Sequence, residues 1–197
     1  MILKQLKVKN YRTLEDISID FMQEYNAICG RNNSGKSNIV RAVRLLFGEK
    51  SDRFPFEEGI DFSYKSDLCA WKKSGEKKEV ISIEGKIELS KEADEWIVRF
   101  IESIEQEKTK LEKDADTVNL EVKIEATADS PQFSLSYLKI DDHVINDNVI
   151  ADSIYEKIKK AVVFHNSTMT LMMFFSRRKR MHGVFSNIPE ANNKEYR

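Results

Sequence analysis

Residues 26–47 read Asn26-Ala-Ile-Cys-Gly-Arg-Asn-Asn-Ser-Gly-Lys-Ser-Asn-Ile-Val-Arg-Ala-Val-Arg-Leu-Leu-Phe47. Within this stretch, Gly30 to Ser37 has the form GxxxxGKS, the pattern of a phosphate-binding loop. The lead-in, Asn26 to Cys29, is short and apolar and reads as a buried strand. The run-out carries apolar residues at 39, 42, 43, 46 and 47, the spacing of one helical face. A glycine turn matches the pattern by chance; a loop between a strand and a helix N-terminus gives it chemical meaning.

A triphosphate brings several negative charges that must be met away from bulk water. Successive backbone N–H groups can curl around the anion, and the following helix turns its positive end toward it. Gly30 and Gly35 allow the close approach that a Cβ would obstruct. Lys36 adds a full positive charge near the β- and γ-phosphates and is the catalytic candidate. The Ser37 hydroxyl is an oxygen ligand suited to Mg²⁺. The candidate nucleotide-binding set in this stretch is therefore Gly30, Asn32, Asn33, Ser34, Gly35, Lys36, Ser37 and Asn38, with ATP and Mg²⁺ as the expected cofactors.

Composition bounds the rest. The 197 residues suffice for one substantial core. Hydrophobic content of 41% is ordinary for a globular protein, and charged residues reach 33% at a formal net charge of −1. That balance does not indicate a nucleic-acid binder by bulk electrostatics. Cys29 and Cys69 offer neither a disulfide framework nor a metal spacing, which fits a reduced, cytoplasmic setting. No run of ~18 apolar residues is present, so no membrane span is expected.

Along the chain, residues 2–9 and 17–21 alternate apolar with polar and predict an antiparallel pair ahead of the loop. Residues 48–78 form an aromatic-rich loop region. Residues 79–89 predict a strand, imperfect at Gly85, and 90–113 an amphipathic helix with Trp96, Ile97, Phe100, Ile101, Ile104 and Leu111 on one stripe. A coiled-coil seam through 97, 101, 104, 108 and 111 is interrupted by Lys108. Residues 118–127 and 132–140 predict a hairpin, 148–160 a helix, and 161–164 a short buried strand. The expected organisation is a P-loop core over 1–50, a β-rich lobe with a charged helix over 51–160, and a return strand with a basic segment over 161–197.

Several parts of a hydrolytic site are not evident. An acidic residue ending an apolar strand would organise Mg²⁺ and water. Glu84 sits mid-strand in an alternating pattern, and 161–164 runs into His165 and Asn166. Ser74-Gly75-Glu76 precedes a strand rather than opening a helix. His143, His165 and His182 share no spacing with acids. The dense basic run Ser176-Arg-Arg-Lys-Arg-Met181 reads either as a phosphate-backbone contact or as a solvated turn. Met172 to Phe175 before it reads as core or as an interface.

The segments Ile2-Leu-Lys-Gln-Leu-Lys-Val-Lys-Asn-Tyr-Arg12, Asp16-Ile-Ser-Ile-Asp-Phe21 and 26–43 together resemble the N-terminal ATPase segment of the RecF/SMC/OLD group of ABC-type ATPases. Asp61-Phe-Ser-Tyr-Lys-Ser66 and the 77–89 strand are most similar to OLD-family proteins, including ATPases of Gabija-, Septu- and retron-type phage defence. The specific match covers roughly the first 47 residues. The resemblance implies an α/β fold: an ABC-type head with a mixed sheet around the P-loop helix and an antiparallel β lobe, incomplete at its C-terminal end. It implies two heads sandwiching Mg-ATP, a homo-oligomer or head-to-head dimer, with a nuclease partner and DNA as further expectations. It also places Arg12 near the nucleotide, against the plain reading of a surface arginine closing a hairpin. Asp61 is a further candidate toward Mg²⁺, or a structural residue. The functional expectation is an ATP-binding head driving a DNA-directed activity in phage defence or repair. The alternatives are a P-loop phosphotransferase on a small substrate and a non-hydrolysing nucleotide-binding assembly subunit.

Overall fold

Period-two alternation becomes a sheet once each apolar face finds cover, and in the computed structural model six strands do so. The structure describes residues 1–22, 26–32, 34–47, 62–69, 79–105 and 116–162. The strands are β1 (Ile2–Tyr11), β2 (Leu14–Asp20), β3 (Ile81–Ser90), β4 (Thr117–Ala126), β5 (Ser134–Ile140) and β6 (His143–Val144). They form one sheet in the order β2-β1-β3-β4-β5-β6, and every neighbouring pair is antiparallel. The expected β1–β2 pair and β4–β5 hairpin are both present. β1 is hydrogen-bonded to β2 on one side and β3 on the other, so one sheet runs through the P-loop segment and the β-rich segment alike. The α/β class is as expected.

Leu6, Val8, Ile81, Ile83, Ile87, Leu89, Leu120, Val122, Ile124, Leu138 and Ile140 are buried on the apolar face. Removing each such side chain from water contributes roughly 1.5–3 kcal/mol. Helix α1 (Lys36–Leu46) buries Ala42 and Leu46; α3 (Glu95–Glu105) buries Ile97, Val98 and Ile101; α4 (Asn148–Ala161) buries Ala151, Ile154, Tyr155 and Ile158. The Asp147 carboxylate caps α4, accepting from the amides of Val149 and Ile150 at 2.9 and 3.2 Å. A short helix, α2 (Tyr64–Asp67), precedes β3.

Two contacts set the position of α1. Gly85 in β3 lies beneath it, and a Cβ built there would fall 2.5 Å from Leu46 Cδ2. The glycine that weakens the strand pattern is thus the one that lets the helix approach. At the other side the Tyr155 hydroxyl donates to the Leu46 carbonyl, fastening the last turn of α1 to α4.

The opposite face of the sheet is charged and cross-linked. Lys7 pairs with Glu84 at 2.7 Å and Lys139 with Glu121 at 2.9 Å. The Tyr137 hydroxyl sits 2.6 Å from Glu121 and 3.0 Å from Glu84. Burial works to raise the Glu121 pKa, but hydrogen bonds from Tyr137 and Lys139 outweigh it and hold the carboxyl below its ordinary range. Glu84 is therefore tied into a cross-strand network.

The structure departs from the sequence reading in three places. Asn26 to Cys29 forms no strand: these residues are exposed, Cys29 included, and join no strand ladder among the described residues, although the Asn26 side chain accepts from the Met22 amide at 3.3 Å. Three small or medium apolar side chains in a four-residue run cannot hold a segment whose backbone has no ladder to join. The helix expected over 90–113 starts at Glu95, after a turn closed by Asp94, whose carboxylate accepts from the Ser90 amide at 2.9 Å; residues 106–113 lie outside the described residues. Ala161, expected to open a strand, is instead the last residue of α4, and Val162 is its extended cap. Residues 163 and 164 lie outside the described residues.

Substituting Gly85→Ala forces a methyl group into the Leu46 contact, and overpacking of this kind costs roughly 1–3 kcal/mol. Urea unfolding should show a lower midpoint with an unchanged slope. Because the Glu121 pKa is depressed by folding, its contribution is present above the ordinary glutamate range and is lost as pH falls through the folded-state value. Glu121→Gln should therefore lower the urea midpoint near pH 7 and cost progressively less as the pH drops below about 4.

Candidate phosphate-binding site

The site is built where the β1–β2 turn meets the start of α1. Positive φ occurs at Asn10 near the end of β1 (58°) and at Arg12 in the turn (51°), conformations that cost a non-glycine residue about 1 kcal/mol each. They are held by bonds from several directions. The Asn10 side-chain amide donates to the Val80 carbonyl at 2.9 Å, and the Asn10 carbonyl accepts from the Cys69 amide at 3.1 Å. The Arg12 amide donates to the Asp67 carbonyl at 2.6 Å, while Arg12 Nε donates to Asp67 Oδ1, also at 2.6 Å. Asp67 is 2% exposed, and its second oxygen accepts from the Ser63 amide at 3.0 Å. The Tyr11 phenol is buried, and desolvation pushes its pKa up; the nearby Arg12 and Arg41 guanidiniums partly offset this.

Against this turn lies Gly35, with φ 89° and ψ 3°, as the residue that hands the chain into α1. A Cβ at that position would meet Thr13 Oγ1 at 3.0 Å and Leu14 Cδ2 at 3.2 Å. Only glycine satisfies both the left-handed backbone and the space. Asn38 and Ile39 donate their amides to the Gly35 carbonyl at 2.9 and 3.0 Å, so the helix is wound from its first turn. No side chain caps it. The amides of Lys36 and Ser37 precede these bonds, and at a helix N-terminus such amides are the donors that an anion can use.

Lys36 is half-buried, and its ammonium donates to the carbonyls of Gly30 and Arg31, both at 2.6 Å. It therefore arches over the loop that it follows. Ser34 donates its amide to the Arg31 carbonyl at 3.3 Å, and a Cβ on Gly30 would lie 3.0 Å from Ser34 Oγ. Ser37 is exposed on the first turn of α1. The donor set of amides, an ammonium and a hydroxyl is the chemistry that polyphosphate and Mg²⁺ require, and the glycines leave room for it.

Gly30, Ser34, Gly35, Lys36, Ser37 and Asn38 thus fall together, with Asn32 in the exposed loop turn. Asn33 lies outside the described residues, as do Asp61, His165, His182, residues 74–76 and the basic run at 176–181. Arg12 is adjacent in sequence to the residue that touches the loop, but its own guanidinium is engaged by Asp67. His143 stands exposed in the edge strand β6. Among the described residues no cluster of histidine, cysteine and carboxylate side chains has metal-binding geometry.

Two contributors escaped the sequence reading. Thr13 accepts a hydrogen bond from the Asn38 side-chain amide at 2.8 Å. Asp67 anchors Arg12 from 55 residues away. The positions immediately after Asn-Tyr-Arg could have flagged Thr13 as a turn residue; no spacing rule could have found Asp67.

The exposed pair Lys9–Asp16, with side chains 58% and 70% exposed, provides an internal comparison for the Arg12–Asp67 pair, whose side chains are 35% and 3% exposed. Asp67→Asn should cost about 1–3 kcal/mol in chemical denaturation, while Asp16→Asn should change stability by less than about 0.5 kcal/mol.

Residues 1–193 match a family model described as an AAA ATPase domain. The chain is 35% identical over 71 residues to the DNA replication and repair protein RecF of Lactococcus lactis subsp. cremoris (strain SK11), covering 36% of this chain and 18% of that protein. It is 46% identical over 54 residues to the chromosome partition protein Smc of Bacillus subtilis (strain 168), covering 27% and 5% respectively. The DNA double-strand break repair Rad50 ATPase of Archaeoglobus fulgidus is 43% identical over 47 residues, 24% of this chain and 5% of that protein. The chain thus spans less than a fifth of the length of these curated relatives. Among solved structures, one from work on ATP-driven dimerisation of SMC ATPases superposes with a TM-score of 0.46 at 16% identity, covering 89% of this chain and 96% of that one. A RecF–ATP structure gives a TM-score of 0.41 at 16% identity, covering 76% and 30%. With a family model matched over nearly all of its length, and RecF, Smc and Rad50 among its relatives, the chain belongs to the AAA ATPase domain family.

Proposed function

We propose that this chain is the nucleotide-binding part of an ATPase head that closes on a second head around Mg-ATP. Binding or hydrolysis is then transmitted to a DNA-directed activity in phage defence or DNA repair. One observation carries the reading: Gly35 turns the chain directly into α1 while Lys36 arches back over the loop carbonyls. On arrival of a polyphosphate, the Lys36 ammonium exchanges those two carbonyls for phosphate oxygens. The amides from Asn32 to Ser37, including Asn33, meet the remaining charge, aided by the positive end of α1. Ser37 offers its hydroxyl to Mg²⁺, and Asn38 stays with Thr13. Arg12 keeps its Nε on Asp67 and turns its terminal nitrogens to the nucleotide. When bound, ATP would supply a phosphoanhydride bond whose hydrolysis consumes one water and yields ADP and inorganic phosphate.

The DNA-directed part rests on the relatives, whose names concern replication, repair and chromosome partition. The phage-defence part rests on the resemblance of residues 61–66 and 77–89 to OLD-family proteins, and a nuclease partner belongs to the same reading. No helix among the described residues is long and apolar enough to cross a membrane, and the proposal places the protein in the cytoplasm.

At a hundred times its Kd, a ligand stabilises the folded state by about 2.7 kcal/mol. Saturating Mg-ATP should accordingly raise the melting temperature by roughly 5–10 °C, and Lys36→Ala should abolish that rise. Light scattering should show the mass doubling with Mg-ATP and not without it. A wild-type chain whose melting ignores the nucleotide, or a Lys36→Ala variant that responds like wild type, would end the proposal.

A further inference from the structure

Positive φ at Arg12, the first residue of the two-residue β1–β2 loop, is what a tight hairpin calls for, whereas Asn10 takes it inside β1, ahead of the turn, where the ladder does not ask for it. Strain of this kind persists only where surrounding contacts over-determine it, and here they do. Asn10 is held by Val80 and Cys69, and Arg12 is bonded twice to Asp67 through its amide and its Nε. Tyr11 is also bridged to Leu68. The residue that all of this presents is Thr13. Its hydroxyl oxygen accepts from the Asn38 side chain at 2.8 Å and stands 3.0 Å from the place a Gly35 Cβ would occupy.

From this geometry we infer that Thr13 is the positioning residue of the phosphate site. It fixes the first turn of α1 from outside the loop, and Asp67 is the foundation of the strut. The inference rests on the nucleotide-binding reading and adds to it a residue that lies outside the GxxxxGKS pattern. The physical reasoning is one of direction. α1 is anchored at its C-terminal end by Gly85 and by the Tyr155–Leu46 bond. With one end pinned, the helix can still swing about that end, and a swing displaces its opening amides most. The Thr13–Asn38 bond opposes that swing where the amides would meet a phosphate. Lys36 cannot do so, because it bonds only to the loop carbonyls that precede it.

The bond is exposed, so its removal costs the fold little, while the placement of several amides depends on it. Thr13→Val keeps the side-chain shape and deletes the acceptor. By isothermal titration of the full chain with Mg-ATP, Thr13→Val should weaken binding about fivefold, the loss expected for one hydrogen bond. The melting temperature without nucleotide should stay within about 2 °C of wild type. Thr13→Ser, which restores the hydroxyl, should bind within twofold of wild type. Asn38→Ala removes the same bond from the other side, and Thr13→Val added to it should bring no further loss. It also serves if Thr13→Val fails to fold. Lys36→Ala separates the two readings. If it abolishes binding while Thr13→Val binds like wild type, nucleotide binding stands and the positioning role is overturned. A melting temperature that falls in proportion to affinity, with no rescue by serine, would also overturn it by making Thr13 merely structural. A wild-type chain that gives no heat with Mg-ATP overturns both.

Discussion

The approach of α1 to the sheet at Gly85 governs the geometry of everything built at the other end of that helix. With Leu46 Cδ2 seated 2.5 Å from where a Cβ would stand, a side chain at this position would force Leu46 out of its present packing against β3. Tyr155 then fastens the same turn from α4. A helix is stiff over eleven residues, so the anchor at its C-terminal end and the Thr13–Asn38 bond at its start together set where its N-terminal amides point. Gly35 answers the matching demand at the front: the chain must reverse sharply under the β1–β2 turn, and only a left-handed residue without a Cβ does so in the space left by Thr13 and Leu14. The two glycines do different physical work, one yielding volume and the other yielding a backbone angle.

Part of the high charge content lies on the far side of the sheet. Cross-strand pairs such as Lys7–Glu84 and Lys139–Glu121, together with Tyr137 between two carboxylates, give that face a cross-linked polar surface. The carboxylates of these pairs are only 15% exposed, so the network ties neighbouring strands together and supports their register. The Arg12–Asp67 pair differs in kind. Its carboxylate is almost fully buried and also accepts a backbone amide, so it shapes a strained turn beside the phosphate loop, where placement matters more than net stability.

Much of the fold was legible. Alternation over residues 2–9, 79–89, 118–127 and 132–140 identified the strands, because one face of each is covered by helices and the other meets water. Helical spacing from 39 to 47 found α1, and spacing over 148–160 found α4. Residues 26–29 misled because a short apolar run satisfies a strand pattern without supplying the neighbour a strand needs. Ala161 misled for the converse reason: small and apolar, it extends α4 by one residue as readily as it opens a strand. Gly85 looked like a flaw in β3, since a pattern along one strand carries no information about the helix pressed against it.

The local chemistry of the loop was determined by sequence alone: glycines at 30 and 35, an ammonium at 36 and a hydroxyl at 37 are adjacent, and their relation survives any tertiary arrangement that winds α1. The placement of β3 between β1 and β4, the clasp of Asp67 on Arg12 and the seat of Thr13 against Asn38 and Gly35 were decided only by tertiary structure. Those contacts join residues 22 (Thr13 and Gly35) to 86 (Ile2 and Glu88) positions apart, and their free energy comes from burial and bond geometry that exist only after the chain has closed its loops. A one-dimensional pattern records what each residue prefers, and the partners that satisfy the preference are chosen in three dimensions.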